Sequence, residues 1–514
     1  MGWFSDYARL LRAGFSLARH DVVLPGEYRS RLPGPARLFG GVMRTFAGGS
    51  RGRPGERLAT ALEGLGPAYI KLGQFLATRP DVFGRDVTDD LSRLKDDLPP
   101  ASVEKAQKVL TDAFGSEAEA LFGALEPAIA AASIAQVHKV QTKDGPRAVK
   151  ILRPGIEAVM AKDISAMRRG AKIIQDRAPE ARRLEPVAFV DVVSAALERE
   201  TDLRIEAGAA DAFSKLEDVG VYFDAPKVDW TRTDKAVATF SWIDGKSLTD
   251  PTALDGMSEV KRAQLANHVT RGFLVSALDH GYFHADMHEG NMILTPAGKL
   301  ALVDFGIMGR INPAERRYLA EILYGFIQRD YDRIAEVHFE AGYVPADKSV
   351  EDFAIALRSV GEPIWDKSAD EVSMGRLLLQ LFDITHLFGM RLRPELVLLQ
   401  KTMVQVEGVA RAIDAKHHIW TAAKPIVERW VRRELGPQAK ARDTLEGLRI
   451  IGRRLSKLPE TGATKPSGAI TLSDESIQAL AAALRPKPSV PWLGVLLGLI
   501  VAAAAAFLIV DRFW

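Results

Sequence analysis

The spacing of apolar residues changes period several times along this chain, and each change marks an element. Residues 1–55 are basic and broken by proline and glycine (Arg51-Gly-Arg-Pro-Gly55), which predicts short helices and a loop. Helical spacing runs through 56–120, including Leu62-Glu-Gly-Leu-Gly-Pro-Ala-Tyr-Ile-Lys71-Leu-Gly73-Gln74 and a further helix over about 102–114. Alternation then takes over. Gln136-Val-His-Lys-Val140 and Arg147-Ala-Val-Lys-Ile151, separated by Lys143-Asp-Gly-Pro146, read as a hairpin. Helical spacing returns from about 155 to 213. Strand character follows over 219–245, where Ala236-Val-Ala-Thr-Phe-Ser-Trp-Ile243 closes on Asp244-Gly245. Beyond 257 the pattern is helical, apart from Met292-Ile-Leu, the Pro296-Ala-Gly turn and Leu300-Ala-Leu-Val303. The pattern divides the chain into a basic N-terminal region (1–55), a helical extension (56–120), a mixed lobe with an inserted helix (121–245), a helical lobe (246–455) and a low-complexity linker (456–490).

After the linker, 491–510 carries no charged residue, close to the roughly 20 apolar positions that cross a bilayer core of about 30 Å. A single transmembrane helix is expected there. Arg485 and Lys487 precede it and Arg512 follows, a bias that places the large domain in the cytoplasm. Gly494 and Gly498 offer a face for pairing two such helices, hence a homodimer. At the other end, Asp6, Arg9 and Arg12 interrupt the apolar run too early for a secretory signal. Trp3, Phe4, Tyr7, Leu10, Leu11 and Phe15 instead make one side of an amphipathic helix, suited to a protein core or to a membrane surface.

Composition narrows the chemistry. The chain is 47% hydrophobic and 26% charged, as globular proteins are, and its formal net charge of +2 gives no basis for nucleic-acid binding. With no cysteine, disulfides, thiolate zinc sites, iron–sulfur clusters and a cysteine nucleophile are excluded. Di-iron and dinucleotide chemistry lack their signatures, because no Glu-x-x-His and no Gly-x-Gly-x-x-Gly occurs.

What remains is phosphate chemistry. His284-Ala-Asp286-Met-His-Glu-Gly-Asn291 is followed by Val303-Asp304-Phe305-Gly306, which gives the order and spacing of a kinase's nucleotide-handling core. Phosphoryl transfer needs Mg²⁺ held against phosphates and a carboxylate facing the attacking hydroxyl. Asn291 and Asp304 are the expected metal ligands, and Asp286 the expected base. Lys150, in Ala148-Val-Lys150, is the lysine for the α- and β-phosphates of ATP, and it needs a carboxylate from a helix. Glu200, Asp202 and Glu206 are candidates, with Glu206 preferred. The segment that should cover the phosphates is not glycine-rich but Ala130-Ala131-Ala132-Ser133-Ile134-Ala135-Gln136-Val137, whose methyl groups restrict the backbone. His280, His284 and His288 recur every four residues as in a zinc-binding helix, but Gly281 and Gly290 weaken that helix.

These motifs, together with Lys71-Leu-Gly73-Gln74, resemble the UbiB family of atypical kinases, bacterial relatives of mitochondrial and plastid proteins needed for quinone biosynthesis. The resemblance spans roughly residues 60–310. It implies an α+β, protein-kinase-like bilobal fold with a helical N-terminal extension over the active site and a C-terminal transmembrane helix. Lys71, with Gln74 beside it, would reach Glu200 and Asp202 across the pocket and fill the groove where a protein substrate would lie. Lys150 would pair with Glu206. The implied activity is Mg²⁺- and ATP-dependent phosphotransfer or ATP hydrolysis at the cell inner membrane, in ubiquinone biosynthesis. Implied partners are membrane lipid, prenylated quinone precursors and quinone-biosynthesis enzymes. The alternatives are a non-catalytic ATP-binding scaffold and a true protein kinase.

Overall fold

A computed structural model of the protein describes residues 2–20, 22, 52–77, 84–91, 94, 99–177, 182, 185–365, 380–381, 384, 387–390 and 394–436. The expected membrane span at 491–510, its Gly494/Gly498 face and the linker at 456–490 lie outside these residues. Among the described residues no helix is long and apolar enough to cross a membrane.

The chain begins with helix α1 (Gly2–Arg19). Its apolar stripe divides: Leu10, Ala13 and Leu17 are buried, while Leu11 (44% exposed) and Phe15 (48%) face outward. The side chains of Trp3 and Phe4 lie outside the description. The extension continues with α2 (Pro54–Glu63), α3 (Pro67–Ala77), α4 (Arg85–Leu91), α5 (Val103–Phe114) and the short α6 (Ala118–Phe122). Gly73 on α3 has a packing reason, since a Cβ there would collide with the side chains of Leu62 and Leu94. A bare backbone lets α3 lie close on its neighbours.

The alternating segment forms a four-stranded sheet in the order β1 (Ala130–Ala131), β2 (Ala135–Thr142), β3 (Gly145–Leu152), β5 (Val237–Ser241). All its pairings are antiparallel, with Val137 opposite Lys150 and Lys150 opposite Ala238. Residues directly opposite share a face, so Val137, Lys150 and Ala238 look into the cleft. On the reverse face Val140, Val149, Ile151 and Val237 bury against Ala106 and Leu110 of α5 and against Phe122. That layer makes the sheet two-sided; deleting a buried leucine such as Leu110 would cost about 2–5 kcal/mol.

Between β3 and β5 the chain inserts α7 (Ile156–Arg177), α8 (Pro186–Glu200), α9 (Leu203–Ser214) and the two-residue strand β4 (Phe223–Asp224). The inserted helix expected in the 121–245 lobe is α7. It receives α1, through Asp6 with Ser165 and Arg169 and through Arg9 with Asp163.

The second lobe opens with β6 (Lys246–Ser247) and α10 (Glu259–Val275), which ends in one π turn, Ser276–His280. Strands β7 (Tyr282–His284), β8 (Met292–Leu294), β9 (Leu300–Leu302) and β10 (Met308–Arg310) follow. A four-stranded sheet in the order β4-β9-β8-β6 delivers the segments around 291 and 304. The pair β7–β10, with Met308 opposite His284 and Gly309 opposite Phe283, holds the 284 and 304 segments side by side. Then come α11 (Pro313–Gln328), α12 (Tyr331–Glu340), α13 (Val350–Trp365), α14 (Pro394–Ile413) and α15 (Ile419–Leu435). Asn312 starts α11 with a capping box: its side chain accepts from the N–H groups of Ala314 (2.9 Å) and Glu315 (3.0 Å), and Glu315 accepts from its N–H at 2.9 Å. Helix α14 packs against α10 along Phe273, Leu274, Met403 and Val406 and so lies under the 284–291 segment.

Gly309 is the tightest point of the β7–β10 pair, because a Cβ there would enter the Phe283 ring. Gly309→Ala is expected to destabilise the fold by about 1–3 kcal/mol, read as a lower urea-unfolding midpoint with an unchanged slope. A midpoint equal to wild type would show that the ring relaxes freely.

Candidate functional site

The site is built from three backbones that meet at one lysine. Strand β3 carries Lys150 into the cleft, where its Nζ lies 2.7 Å from Glu206 Oε1 and 3.3 Å from Asp304 Oδ1. Asp202 makes the first of these possible. As N-cap of α9 it accepts from the Arg204 N–H at 3.2 Å and from the Arg204 guanidinium at 2.8 and 2.7 Å. The helix therefore starts where Glu206, in its first turn, points at Lys150. Asp202 thus belongs to Arg204 and not to Lys71, which corrects the expectation that Lys71 reaches both acids.

Asp304 leaves β9 with φ +61°, a left-handed conformation that costs energy for a residue with a Cβ. The conformation is locked: Gly306 N–H donates to Asp304 Oδ1 at 3.2 Å, and the Asp304 carbonyl accepts from His284 Nε2 at 2.8 Å. His284 Nδ1 in turn accepts from the Asp286 N–H at 3.2 Å. One neutral imidazole therefore fixes the backbone at both functional aspartates. Burial holds its pKa below the usual value and outweighs the Asp304 carbonyl and the two carboxylates nearby.

One cation shared by two carboxylates sets the electrostatics. Burial disfavours the Lys150 ammonium, but Asp304 and Glu206 outweigh it and raise its pKa. The surrounding protein disfavours the Asp304 carboxylate, and Lys150 with the Gly306 N–H outweighs that and lowers its pKa. Glu206 is the member that yields: burial pushes it up to about 7, with Lys150 opposing and Asp304 adding to the rise.

Asp286 lies on the far side of the cleft. Its Oδ1 accepts from Gln405 Nε2 at 3.0 Å and from Lys401 Nζ at 3.3 Å, and its Oδ2 lies 3.5 Å from His288 Nε2. Burial opposes ionisation, yet His288, Lys401 and Gln405 together hold the carboxyl well below the usual carboxylate range. Those three partners keep it an anion in the resting site. Asn291 gives its amide N–H to the Asp286 carbonyl at 3.0 Å, which leaves its Oδ1 as an acceptor, and its backbone carbonyl accepts from the N–H of Val303, the residue before Asp304, at 3.0 Å. Among the described residues no cluster of three or more His, Cys, Asp or Glu could hold a metal alone. An amide oxygen and a carboxylate oxygen are hard donors, and such a sparse oxygen pair suits Mg²⁺, which keeps waters and completes its shell with phosphate oxygens.

The covering segment is a tight hairpin. Ala130 and Ala131 pair with Val137 and Gln136, and the Ala132 N–H donates to the Ala135 carbonyl at 2.8 Å, with Ser133 buried at the tip and Ile134 part-buried beside it. Arg153 Nε donates to the Ala132 carbonyl at 2.8 Å and a second guanidinium nitrogen donates to the Pro99 carbonyl at 2.8 Å. Gln136 does not face the nucleotide side as expected. Strand alternation turns it to the buried reverse face of the sheet, where it accepts from the Ala101 N–H at 2.8 Å and meets His138 at 2.8 Å.

Lys71 is buried on α3 and pairs with Glu200 at 3.1 Å, and Gln74 lies on the same helix face. The three histidines of the zinc-like pattern fall on different elements: His280 in the π turn, His284 in β7 and His288 at the cap of the 289–291 turn. Sequence reasoning did not single out Lys401, Gln405 or a role for His288. The first two lie on α14, whose other polar residues (Glu395, Gln400, Thr402, Glu407 and Arg411) leave the pair without a distinguishing signal in the sequence.

A family model described as the ABC1 atypical kinase-like domain matches residues 93–338, and one described as the UbiB helical domain matches 357–418. A Marinobacter nauticus protein named probable protein kinase UbiB is 33% identical over 518 residues, covering 97% of this chain and 93% of its own. Proteins of the same name from Vibrio parahaemolyticus (37% identity, 79% and 76% of the two chains) and Azotobacter vinelandii (36%, 76% and 74%) are also similar. A Mycobacterium tuberculosis protein solved as a complex with erythromycin shares the fold, with a TM-score of 0.52 over 75% of this chain and 97% of that one at 24% identity.

The neutral His284 bridge predicts a pH dependence. A histidine whose folded pKa is depressed adds stability that is fully present above its unfolded value of about 6.5 and is lost as pH falls through the folded one. The unfolding midpoint of wild type should therefore decline below pH 6.5. His284→Asn should start lower and decline less steeply; parallel pH profiles would sink the assignment.

Proposed function

This chain belongs to the UbiB family of ABC1 atypical kinase-like proteins, and from that premise we propose that it is a Mg²⁺- and ATP-dependent phosphotransferase or ATPase that supports ubiquinone biosynthesis. The family name ties its relatives to kinase-like activity; the finer reading rests on the meeting of Lys150, Glu206, Asp304, Asn291 and Asp286 at one cleft. Mg²⁺, when bound, would screen the phosphate charge. Asp304 and Asn291 would hold it, Lys150 would bind the α- and β-phosphates, and Asp286 would orient the attacking oxygen. Ala130–Val137 would cover the phosphates through a hairpin already fixed by Arg153.

The Lys71–Glu200 pair supports a site closed to protein substrates, because displacing it would leave the buried lysine without its part-buried acid. Together with the apolar 491–510 segment, this favours a small or lipidic acceptor, such as a prenylated quinone precursor presented at the cytoplasmic face of the inner membrane. Quinone-biosynthesis enzymes would be the neighbours there, with a second copy of the chain paired through Gly494 and Gly498.

In the full-length protein reconstituted with lipid, Asp304→Asn is expected to lower Mg²⁺-dependent ATP hydrolysis on the order of 10²-fold or more and to fail to restore quinone to a deletion strain. Loss of quinone with hydrolysis intact, or the reverse, would separate the two halves of the proposal. If both persist, the phosphotransfer reading is wrong, and a nucleotide-binding scaffold takes its place.

A further inference from the structure

The helical region beyond the kinase-like match contributes a residue to the reacting centre. Three consecutive features of α14 converge on the Asp286 segment: Lys401 Nζ at 3.3 Å from Asp286 Oδ1, the Thr402 hydroxyl donating to the Ala285 carbonyl at 3.3 Å, and Gln405 Nε2 at 3.0 Å from the same Oδ1. Gln405 and Thr402 suffice to hold the segment. Thr402 is fully buried and bonds the backbone, and Gln405 lies closer than the lysine to the same oxygen. Lys401 is different, since its side chain is half-exposed while its ammonium still reaches Asp286 Oδ1.

Charge makes the difference matter. Neither 284–291 nor 304–309 contains a lysine or arginine, and Lys150 is already shared by Glu206 and Asp304. A phosphoryl group between the Asp304 side of the cleft and an acceptor at Asp286 would sit between two carboxylates. Among the described residues, the lysine within hydrogen-bond reach of Asp286 is Lys401. Resting on the nucleotide reading above, we propose that Lys401 is a catalytic residue that binds the terminal phosphoryl group of ATP during its transfer. As the new bond from the acceptor oxygen to phosphorus forms and the bond to the leaving ADP oxygen breaks, the acceptor's proton passes to Asp286 or solvent, and Lys401 neutralises the oxygens of the moving group. Asp286 then holds the ammonium in place when no nucleotide is bound.

The test compares the full-length protein's affinity for Mg²⁺-AMP-PNP and Mg²⁺-ADP by calorimetry. Lys401→Met should reduce the AMP-PNP to ADP affinity ratio about tenfold, with ADP binding nearly unchanged, and Lys401→Arg should restore part of it. Gln405→Leu, which removes a positioning contact, should slow turnover while leaving the ratio as in wild type. An unchanged ratio in a folded Lys401→Met protein would overturn the proposal and make the lysine a partner of Asp286 alone. Lys401→Gln serves as a second variant if the Met protein fails to fold. Failure of wild type to bind either nucleotide would overturn the nucleotide reading itself, and this proposal with it.

Discussion

Everything in the cleft is arranged around one buried ammonium. Lys150 belongs to the sheet, Glu206 to an inserted helix and Asp304 to the second lobe, so a single side chain ties three separately built parts of the molecule together. The arrangement is stable only while the parts stay in register, because a buried cation that loses its partners costs several kcal/mol. Three devices keep that register: the Asp202 cap that aims Glu206, the β7–β10 pair that sets 304 beside 284, and the His284 bridge between them. None of the three is among the proposed phosphate or metal ligands, yet each fixes where those residues stand.

The chain's local signals were readable where local physics decides. The hairpin around residues 143–146, the helix after Ser102 and the Asn312-Pro-Ala-Glu315 start of α11 all declare themselves through alternation, turn residues or capping chemistry. The Lys150–Glu206 pairing was reachable because a motif on a strand demands an acid on a helix. Orientation was harder. Whether Gln136 looks in or out depends on the strand's register against α5 and the 99–101 segment. The partner of Asp202 depends on where α9 begins. Both are decided by packing between segments that the chain separates, so a motif match assigns them to the pocket by default. Lys401 was hidden for the same reason: it follows Asp286 at long range, on a helix whose apolar stripe explains it without function.

The two family matches therefore describe one working unit. The kinase-like stretch at 93–338 supplies the lysine, the acids and the asparagine, while the helical stretch at 357–418 supplies the side chains that grip Asp286. A boundary drawn between them by sequence similarity cuts through the site. The N-terminal extension is equally committed, since α1 docks on α7 and α3 sends Lys71 to Glu200, at the end of the helix just before α9.

The alanine hairpin carries a mechanical consequence. In a glycine-rich cover the loop can open and close by its own backbone freedom. Here Arg153 fastens Ala132 and Pro99 together while Gln136 fastens Ala101, so cover and strap form one plate. If the cleft exchanges nucleotide as proposed, the loop would not open alone, and the segment leading into α5 would move with it. A load on residues 99–101 would then be transmitted to the hairpin through Arg153 and Gln136.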